Sequence, residues 1–377
     1  MLVQELLANL VSFPSVVRTS NAAIIDYIRS YLAQYGIDSS IIAGPEGDRF
    51  NLFATIGPAN RPGYILSGHL DVVPATEPTW SSDPFRLRED GKRLIARGAV
   101  DMKGFVACVL ASVPTFVARP LTRPIHLAFS YNEEAGCVGV RHLIDRIPTL
   151  CAKPIGCFVG EPSGMQPVLR HKGKIGCQIS IHGKSGHSSR PDLGLNAIHA
   201  SADILTAIRD EAARLAADGP FNQRFVPPYS SMQIGVIAGG AALNVIPEKC
   251  TIDIEARAVP GIDPTTLMEP IRARITELSA EGSGLRFEIQ TLSTYPALDL
   301  DETDALATLA EKISGQTCAG AVSYGTEAGL YQAAGIPSII CGPGDIARAH
   351  RPNEYVLKSE LDDCLNALGQ LVDEVAE

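Results

Sequence analysis

The chain has 377 residues, of which 45% are hydrophobic, and its formal net charge is −10. This length and composition predict a folded protein of two or three compact units, because disordered chains contain far fewer apolar residues. The acidic balance argues against nucleic-acid binding, since phosphate contacts need clustered Lys and Arg. The longest apolar run is about 14 residues, too short for a membrane-spanning helix. We therefore expect no nucleic-acid partner and no membrane partner.

The cysteines and the N-terminus indicate the cellular compartment. Nine cysteines are scattered along the chain without a CxxC pair, a pattern typical of reduced thiols and not of a disulfide framework. The first 15 residues are periodic like an amphipathic helix and lack the basic start of a signal peptide. We expect a cytoplasmic protein.

Three apolar segments in the first half of the chain are typical of buried strands, and each ends in polar residues: 64–73, 124–134 and 154–162. Helical patterns follow at 104–117 and 138–145. Continuous apolar strands that alternate with helices predict an α/β fold with a parallel or mixed sheet covered on both faces. Ligands bind at the carboxyl ends of strands in such sheets, so the polar strand ends predict a site there.

The middle of the chain has a different pattern. Strand, helix, strand, strand, helix and strand are expected in turn at 174–182, 194–217, 230–238, 247–259, 264–280 and 285–291. This β-α-β-β-α-β order is that of a ferredoxin-like α+β domain. We predict an inserted domain at 172–285, and a discontinuous α/β domain with a mixed sheet at 1–171 and 286–377. A helix at 303–313, a strand at 336–341 and a helix at 358–375 are expected to return to the first sheet.

Histidines and carboxylates cluster in five short segments. They are His69 and Asp71 in SGHLDVVPA, Asp101 in RGAVDMKG, Glu133 and Glu134 in SYNEEAG, Glu161 in VGEPSG, and His350 in ARAHRPNEYV. Each segment alone is an ordinary strand end or loop, but all five together indicate a site. Two imidazoles with three or four carboxylates suit a pair of divalent cations such as zinc.

The residue types also suggest a division of labour among these side chains. A carboxylate can bridge two cations, and Asp101 is the candidate. A carboxylate two residues after His69 can hold its second ring nitrogen, as Asp71 would. The pair Glu133–Glu134 offers one ligand and one free general base.

These fragments, in this order, resemble those of the M20 metallopeptidase family. The motifs that carry the resemblance are SGHLDVVPA, ARGAVDMKG, EEAG, GEPSGMQPVLRHKG, SGHSS, YGTEAGLYQAAGIP and CGPGDIARAHRPNEY. They span nearly the whole chain. The resemblance implies an α/β catalytic domain that carries a lid, and a homodimer formed through that lid. Within the family the fit is closest to the enzymes that deacetylate N-acetylornithine, followed by those that desuccinylate N-succinyl-diaminopimelate.

The resemblance also implies the role of each ligand. Asp101 would bridge two divalent cations, zinc or cobalt. Glu134 and His350 would complete one cation site, and His69 and Glu161 the other. Asp71 would orient His69, and Glu133 would be the general base.

Further residues are implied for the lid and its neighbouring loop. His187 in SGHSS would stabilise the oxyanion, in its own subunit or in the site of the partner subunit. Asn244 and Arg257 would hold the carboxylate or acyl oxygen of the substrate. Gly325 and Thr326 would also meet the substrate. Glu327 follows in the same loop, either beside a cationic substrate side chain or in an internal salt bridge.

The expected function is hydrolysis of an N-acyl amino acid, with N-acetylornithine as the expected substrate and ornithine and acetate as products, a step of arginine biosynthesis. A desuccinylase, another N-acyl-amino-acid deacylase or a dipeptidase are the alternatives within the family. A desuccinylase needs a second cation, for which four residues are candidates: Arg170, Lys172, Lys174 and Arg190. A non-catalytic binding module would have lost a ligand or the base, and every matched position is present. Asn132 and Ala258 depart from the usual family pattern, and Glu161 favours the deacylase branches over aminopeptidases.

Overall fold

The computed structural model describes residues 1–280 and 284–376. Its helices are α1 Val3–Val11, α2 Ala22–Ala33, α3 Lys103–Ala118, α4 Val138–Ile144, α5 Ile147–Leu150, α6 Ala197–Asp218, α7 Glu269–Ala280, α8 Ala305–Ser314, α9 Ala328–Ala333 and α10 Lys358–Val375. Within the described ranges, no helix is both long and apolar enough to cross a lipid bilayer.

The strands, in chain order, are β1 Ser39–Ala43, β2 Phe50–Ile56, β3 Tyr64–His69, β4 Arg88–Asp90, β5 Arg93–Ile95, β6 Ile125–Ser130, β7 Gly156–Pro162, β8 Arg170–His171, β9 Gly173–His182, β10 Gly186–His187, β11 Ser231–Gly239, β12 Val245–Ile246, β13 Lys249–Ala258, β14 Arg286–Tyr295, β15 Leu298–Asp299, β16 Ser338–Gly342 and β17 Tyr355–Leu357. The chain forms two compact units. Unit 1 comprises Met1–Arg170, Leu298–Ala321 and Thr326–Glu377, and unit 2 comprises His171–Ala297 and Val322–Gly325.

Unit 1 is built on a six-stranded mixed sheet of order β1-β2-β6-β3-β7-β16. The strands from β6 to β16 run parallel, whereas β2 is antiparallel to both β1 and β6. Every residue of β6 and β7 is buried, as expected for strands covered on both faces. On one face, α3 packs against α1 and α10. The predicted mixed α/β fold is confirmed.

Unit 2 contains an antiparallel sheet of order β11-β13-β9-β14. Buried residues alternate along β13, so that one face of the sheet packs on α6 and α7 around a second hydrophobic core. The chain order β9-α6-β11-β13-α7-β14 confirms the ferredoxin-like pattern.

The boundary of unit 2 differs from the predicted one. Residue 285 was expected to end the inserted domain, but the structure extends unit 2 to Ala297 and adds Val322–Gly325. The reason is strand pairing, because β14 is hydrogen-bonded to β9 along its whole length, from Arg286 opposite His182 to Tyr295 opposite Lys174. The predicted strand at 285–291 was placed correctly but was drawn too short.

Candidate metal centre and active site

The predicted ligands of unit 1 follow neighbouring parallel strands. His69 is the last residue of β3, Glu133 and Glu134 follow the end of β6, and Glu161 lies near the end of β7. Because β6, β3 and β7 are adjacent and parallel, their carboxyl ends meet at one edge of the sheet. The fold itself therefore gathers these side chains.

Asp101 lies between the two histidines. Its Oδ1 is 3.0 Å from Nε2 of His69, and its Oδ2 is 3.1 Å from Nε2 of His350. His350 Nε2 is also 3.0 Å from a carboxylate oxygen of Glu134, and His69 Nε2 is 3.7 Å from one of Glu161. The carboxylate of Asp101 thus faces both imidazoles at once, as a bridging ligand must.

Two groups of these side chains bring their ligand atoms within 4.8 Å of one another: His69 with Glu133 and Glu161, and His69 with Asp101 and Glu134. The structure therefore brings together every metal-ligating residue expected from the sequence. A carboxylate oxygen of Glu133, the expected base, also lies within 4.8 Å of the ligand atoms of His69 and Glu161.

His69 is oriented by a different atom from the one expected. Its Nδ1 donates to the backbone carbonyl of Asp71 at 2.8 Å, whereas the Asp71 carboxylate is 3.8 Å away. That carboxylate instead accepts the backbone N–H groups of Glu133 at 3.0 Å and Glu134 at 3.2 Å. The expected hydrogen bond between the Asp71 carboxylate and His69 is therefore not formed. A donating Nδ1 leaves the lone pair of Nε2 for a ligand in the neutral ring.

The electrostatics of the centre show an excess of negative charge. Burial raises the pKa of Glu133 to about 8, an effect that the charge of Glu134 reinforces. Burial together with the charge of Asp101 raises the pKa of Glu161 well above its usual value. Asp101 is the exception: burial opposes its ionised form, but the facing rings of His350 and His69, when protonated, outweigh burial and lower its pKa.

This charge balance is the test of whether divalent cations fit. Buried carboxylates outnumber the two imidazoles, and a buried anion without a compensating charge is costly. The facing atoms are carboxylate oxygens and imidazole nitrogens, which are donors that zinc and similar cations accept. The residues therefore fit a pair of divalent cations.

Within the described chain, Glu327 does not form the internal salt bridge that was one of its two expected contacts. It is buried, and its carboxylate accepts the hydroxyl of Ser130 at 2.5 Å and that of Ser67 at 3.4 Å. No Lys or Arg of the described chain lies within ion-pair distance of it. Burial raises its pKa to about 7. Ser67 also donates to Tyr331 at 3.1 Å. Glu327 thus links β3, through Ser67, to β6, through Ser130.

Asn132, the departure from the family pattern, has a local explanation. Its φ of 52° lies in the left-handed region, where Asn is one of the better tolerated residues. Its side-chain oxygen accepts the backbone N–H of Arg18 at 2.7 Å. The substitution therefore shapes the turn that leads into Glu133.

Sequence reasoning missed three residues around the centre. The thiol of Cys137 donates to Glu133 Oε1 at 3.2 Å. The carboxylate of Glu354 accepts backbone N–H groups beside Asp101, and Arg97 pairs with Glu354 at 2.8 Å. Arg97 and Glu354 lie inside the quoted motifs, but only the fold shows that they meet.

In unit 2, His187 and Asn244 lie close together. β10 pairs with β12, with His187 opposite Val245, and the N–H of Ser188 donates to the carbonyl of Asn244 at 3.1 Å. His187 is exposed, and its Nδ1 is 2.7 Å from the hydroxyl of Ser189.

Arg257 and Gly325 both lie beside Tyr295. The guanidinium of Arg257 donates to Glu255 at 2.8 Å and to the Tyr295 hydroxyl at 3.3 Å. A Cβ at Gly325 would lie 2.3 Å from the Tyr295 ring, so only glycine fits there. Thr326 belongs to unit 1, where it is buried and its hydroxyl accepts the N–H of Ala328 at 3.1 Å. The expected substrate contacts of these residues stay predictions.

Comparisons with known proteins place the chain in a family. The sequence profile of peptidase family M20/M25/M40 matches residues 65–374. An acetylornithine deacetylase of Pasteurella multocida is 33% identical over 94% of this chain and 91% of its own length. One of Proteus mirabilis is 32% identical over 98% and 95%.

Solved structures show the same fold. The M20 family metallo-carboxypeptidase Sso-CP2 of Sulfolobus solfataricus is 17% identical and covers 98% of both chains with a TM-score of 0.80. The YXEP protein of Bacillus subtilis, described as a dinuclear metal-binding peptidase, is 19% identical over 99% of this chain and 98% of its own, with a TM-score of 0.66. Family profile, relatives and fold agree that this chain belongs to peptidase family M20/M25/M40 and is a metal-dependent amidohydrolase.

Proposed function

We propose that the protein binds two divalent cations and hydrolyses the amide bond of an N-acyl amino acid, converting N-acetylornithine into ornithine and acetate. The observation that carries the proposal is the position of Asp101, whose two carboxylate oxygens face His69 and His350 at 3.0 and 3.1 Å. A carboxylate that presents one oxygen to each of two imidazoles is placed as a ligand shared between two cations would be.

The division of the cation ligands comes from the family resemblance, and the contacts of His350 with Asp101 and Glu134 are compatible with it. Asp101 would be shared, Glu134 and His350 would hold one cation, and His69 and Glu161 would hold the other. Zinc suits these donors, and cobalt is an alternative. When bound, such a pair supplies Lewis-acid polarisation of the substrate carbonyl and lowers the pKa of water.

The chain's own groups move the proton. The backbone N–H of Glu133 donates to the carboxylate of Asp71, and the carboxylate of Glu133 accepts the thiol of Cys137. Its high proton affinity fits a base that takes a proton from the attacking water and then delivers it to the leaving nitrogen. Asp71 fixes the peptide that carries Glu133, which keeps the base at a constant distance from the reacting carbonyl.

The unit 2 residues receive their roles from the family resemblance. His187 stabilises the oxyanion of the tetrahedral intermediate. Arg257 and Asn244 bind the substrate's carboxylate or acyl oxygen, and the half-buried guanidinium is suited to paired hydrogen bonds. The Tyr295 ring packs closely against Gly325, where a Cβ would lie 2.3 Å from the ring.

An acetyl substrate is favoured over a succinyl substrate because the four candidate basic side chains already have partners. Arg170 is buried and paired with Asp299 at 2.7 Å, and Lys172 donates to two backbone carbonyls. The other two are paired within unit 2, Lys174 with Glu255 and Arg190 with Asp192. Each would have to give up a partner to bind a distal carboxylate. The names of the curated relatives point the same way.

A substrate panel tests this proposal. N-acetylornithine, N-succinyl-diaminopimelate and simple dipeptides are compared by kcat/KM with the zinc-loaded and the cobalt-loaded protein. We expect the acetyl substrate to be preferred. A higher kcat/KM for the succinyl substrate would assign the desuccinylase activity, and preference for dipeptides would assign a dipeptidase.

We also propose that unit 2 joins two copies of the chain. β11 is an edge strand of its sheet and exposes Val236 and Ile237, and the side chain of the nearby Leu243 is fully exposed. An open apolar edge is suited to pairing with a second copy. Sedimentation should show a dimer, and Val236→Lys should shift it towards monomer. A monomeric wild-type protein at micromolar concentration would refute the dimer.

The nine cysteines are free, which fits a cytoplasmic, reducing compartment.

A further inference from the structure

A buried ion pair lies directly behind the bridging carboxylate. Arg97 and Glu354 are each 1% exposed, and Nη1 of Arg97 is 2.8 Å from Oε2 of Glu354. They are 257 positions apart in the chain. Neither residue belongs to the proposed ligand set, and neither has a part in moving the proton.

The second carboxylate oxygen of Glu354 is hydrogen-bonded to the backbone at Asp101. Its Oε1 accepts the N–H of Val100 at 3.0 Å and that of Asp101 at 3.2 Å. Two backbone N–H groups that donate to one carboxylate oxygen fix the peptide from which the Asp101 side chain projects. Hydrogen bonds to an ionised acceptor are the stronger kind, so this anchor is stiff.

Arg97 connects the same anchor to the second histidine. Its Nη1 also donates to the carbonyl of Arg351 at 3.3 Å, and Arg351 directly follows His350. On its other side, Nη2 donates to the carbonyl of Pro74 at 3.2 Å and to Glu77 at 3.0 Å. One guanidinium therefore ties together the segments of Asp101, His350 and the loop after β3.

Stability alone is a weak reason for such a pair. Replacing a buried ion pair by neutral residues is often neutral or even stabilising, because desolvation of both charges opposes their attraction. The distinctive feature here is the geometry, since the contacts of the pair converge on the backbones of two proposed cation ligands.

We propose that Glu354, held in place by Arg97, is a positioning residue of the metal centre: it sets the backbone of Asp101 so that the carboxylate meets both cations. This inference rests on the proposed metal centre. Partners that orient metal ligands commonly contribute about 10–100-fold to metal affinity.

The test measures cation affinity directly. The metal-free protein is titrated with Co²⁺ in competition with a chelator, and the visible absorption of bound Co²⁺ is recorded. Two variants are compared with wild type, Glu354→Gln and the double variant Arg97→Met/Glu354→Gln. The double variant leaves no unpaired buried charge, so it should fold even if the single variant does not.

We expect the folded variants to bind Co²⁺ about 10–100-fold more weakly, with an altered absorption spectrum. The matched control is the pair Glu211 and Arg214 of unit 2, whose carboxylate is also buried and whose contacts are 2.6 and 2.8 Å. Arg214→Met/Glu211→Gln should leave both the affinity and the spectrum unchanged.

The outcomes separate this inference from the proposed function. If wild type binds Co²⁺ and hydrolyses its substrate while the folded double variant binds Co²⁺ equally well, the positioning role is overturned and the function stands. If wild type binds no Co²⁺, the metal centre itself is overturned, and the positioning role with it.

Discussion

Glu255 of unit 2 and two acids at the metal centre of unit 1, Glu133 and Glu327, have opposite electrostatic surroundings. In unit 2, Glu255 lies between Lys174 at 3.0 Å and Arg257 at 2.8 Å, and these cations lower its pKa despite partial burial. In unit 1, burial raises the pKa of Glu133 to about 8 and that of Glu327 to about 7, and neither forms an ion pair with Lys or Arg in the described chain.

This difference in charge compensation indicates which acids need a bound cation. In unit 2 the half-buried Glu255 is neutralised by the chain's own Lys174 and Arg257. Unit 1 gathers acids at one sheet edge and supplies only imidazoles to face them, a balance that divalent cations would complete. Four predictions sharpen or break this comparison, beginning with the largest effect.

Among the substitutions, that of the proposed base should have the largest effect. Glu133→Gln should lower kcat by about 10²–10⁴-fold, because the proton-transfer group is removed. Bound metal, measured by elemental analysis, should stay close to that of wild type. Glu269→Gln, at an exposed acid of unit 2, is the control and should leave kcat unchanged. Wild-type turnover in the Glu133 variant would refute its assignment as base.

Removal of cations should abolish activity and destabilise unit 1. The acids then face one another without countercharge, so the melting temperature should fall after chelation and recover when zinc is restored. With free cation at roughly 1,000 times its Kd, binding contributes about 4 kcal/mol to the free energy of unfolding. Calorimetry checks this, and a melting temperature indifferent to chelator would contradict the account.

Neutralising Glu327 should stabilise the metal-free protein. Its folded-state pKa of about 7 lies above the ordinary 4.5, so the native state retains a proton that the unfolded state has lost, and stability falls as pH rises from 4.5 to 7. Glu327→Gln should therefore raise the free energy of unfolding by about 3 kcal/mol at pH 8 and leave it almost unchanged at pH 4.5. Urea unfolding at both pH values measures this difference. If the variant were less stable than wild type at pH 8, the charge of the Glu327 carboxylate would be stabilised in the folded protein, contrary to the account.

The matching change in unit 2 should have the opposite sign and a smaller size. Glu255→Gln should destabilise by about 1 kcal/mol at pH 7, since two partly exposed ion pairs are lost. Because the folded-state pKa of Glu255 is lowered, its contribution is present above 4.5 and disappears as pH falls through the folded value. If urea unfolding shows stabilisation instead, the comparison between the units fails.

The sequence alone predicted those features of the fold and the site that depend on local residue patterns. His69, Glu133 and Glu161 follow apolar runs, and parallel strands bring such ends together whatever the rest of the chain does. The α-β-β pattern of the middle region likewise predicted the sheet of unit 2, although hydrophobic periodicity could not show that β14 continues to Tyr295.

Contacts between distant residues lay beyond the reach of the sequence. Glu354 meets Arg97 across 257 positions, and Ser130 meets Glu327 across 197. No spacing rule links such pairs, because only the packed sheet brings them together. The choice between the carbonyl and the carboxylate of Asp71 as the acceptor for His69 depends on the local backbone path, which residue types do not specify.

The most direct test of the central claim is the metal content of the purified chain after dialysis against zinc, counted by native mass spectrometry for wild type and for Asp101→Asn. The account predicts two cations per wild-type chain and fewer than two in the variant, because one carboxylate is shared between both sites. A wild-type chain that holds no cation, or an Asp101 variant that still holds two, would contradict it.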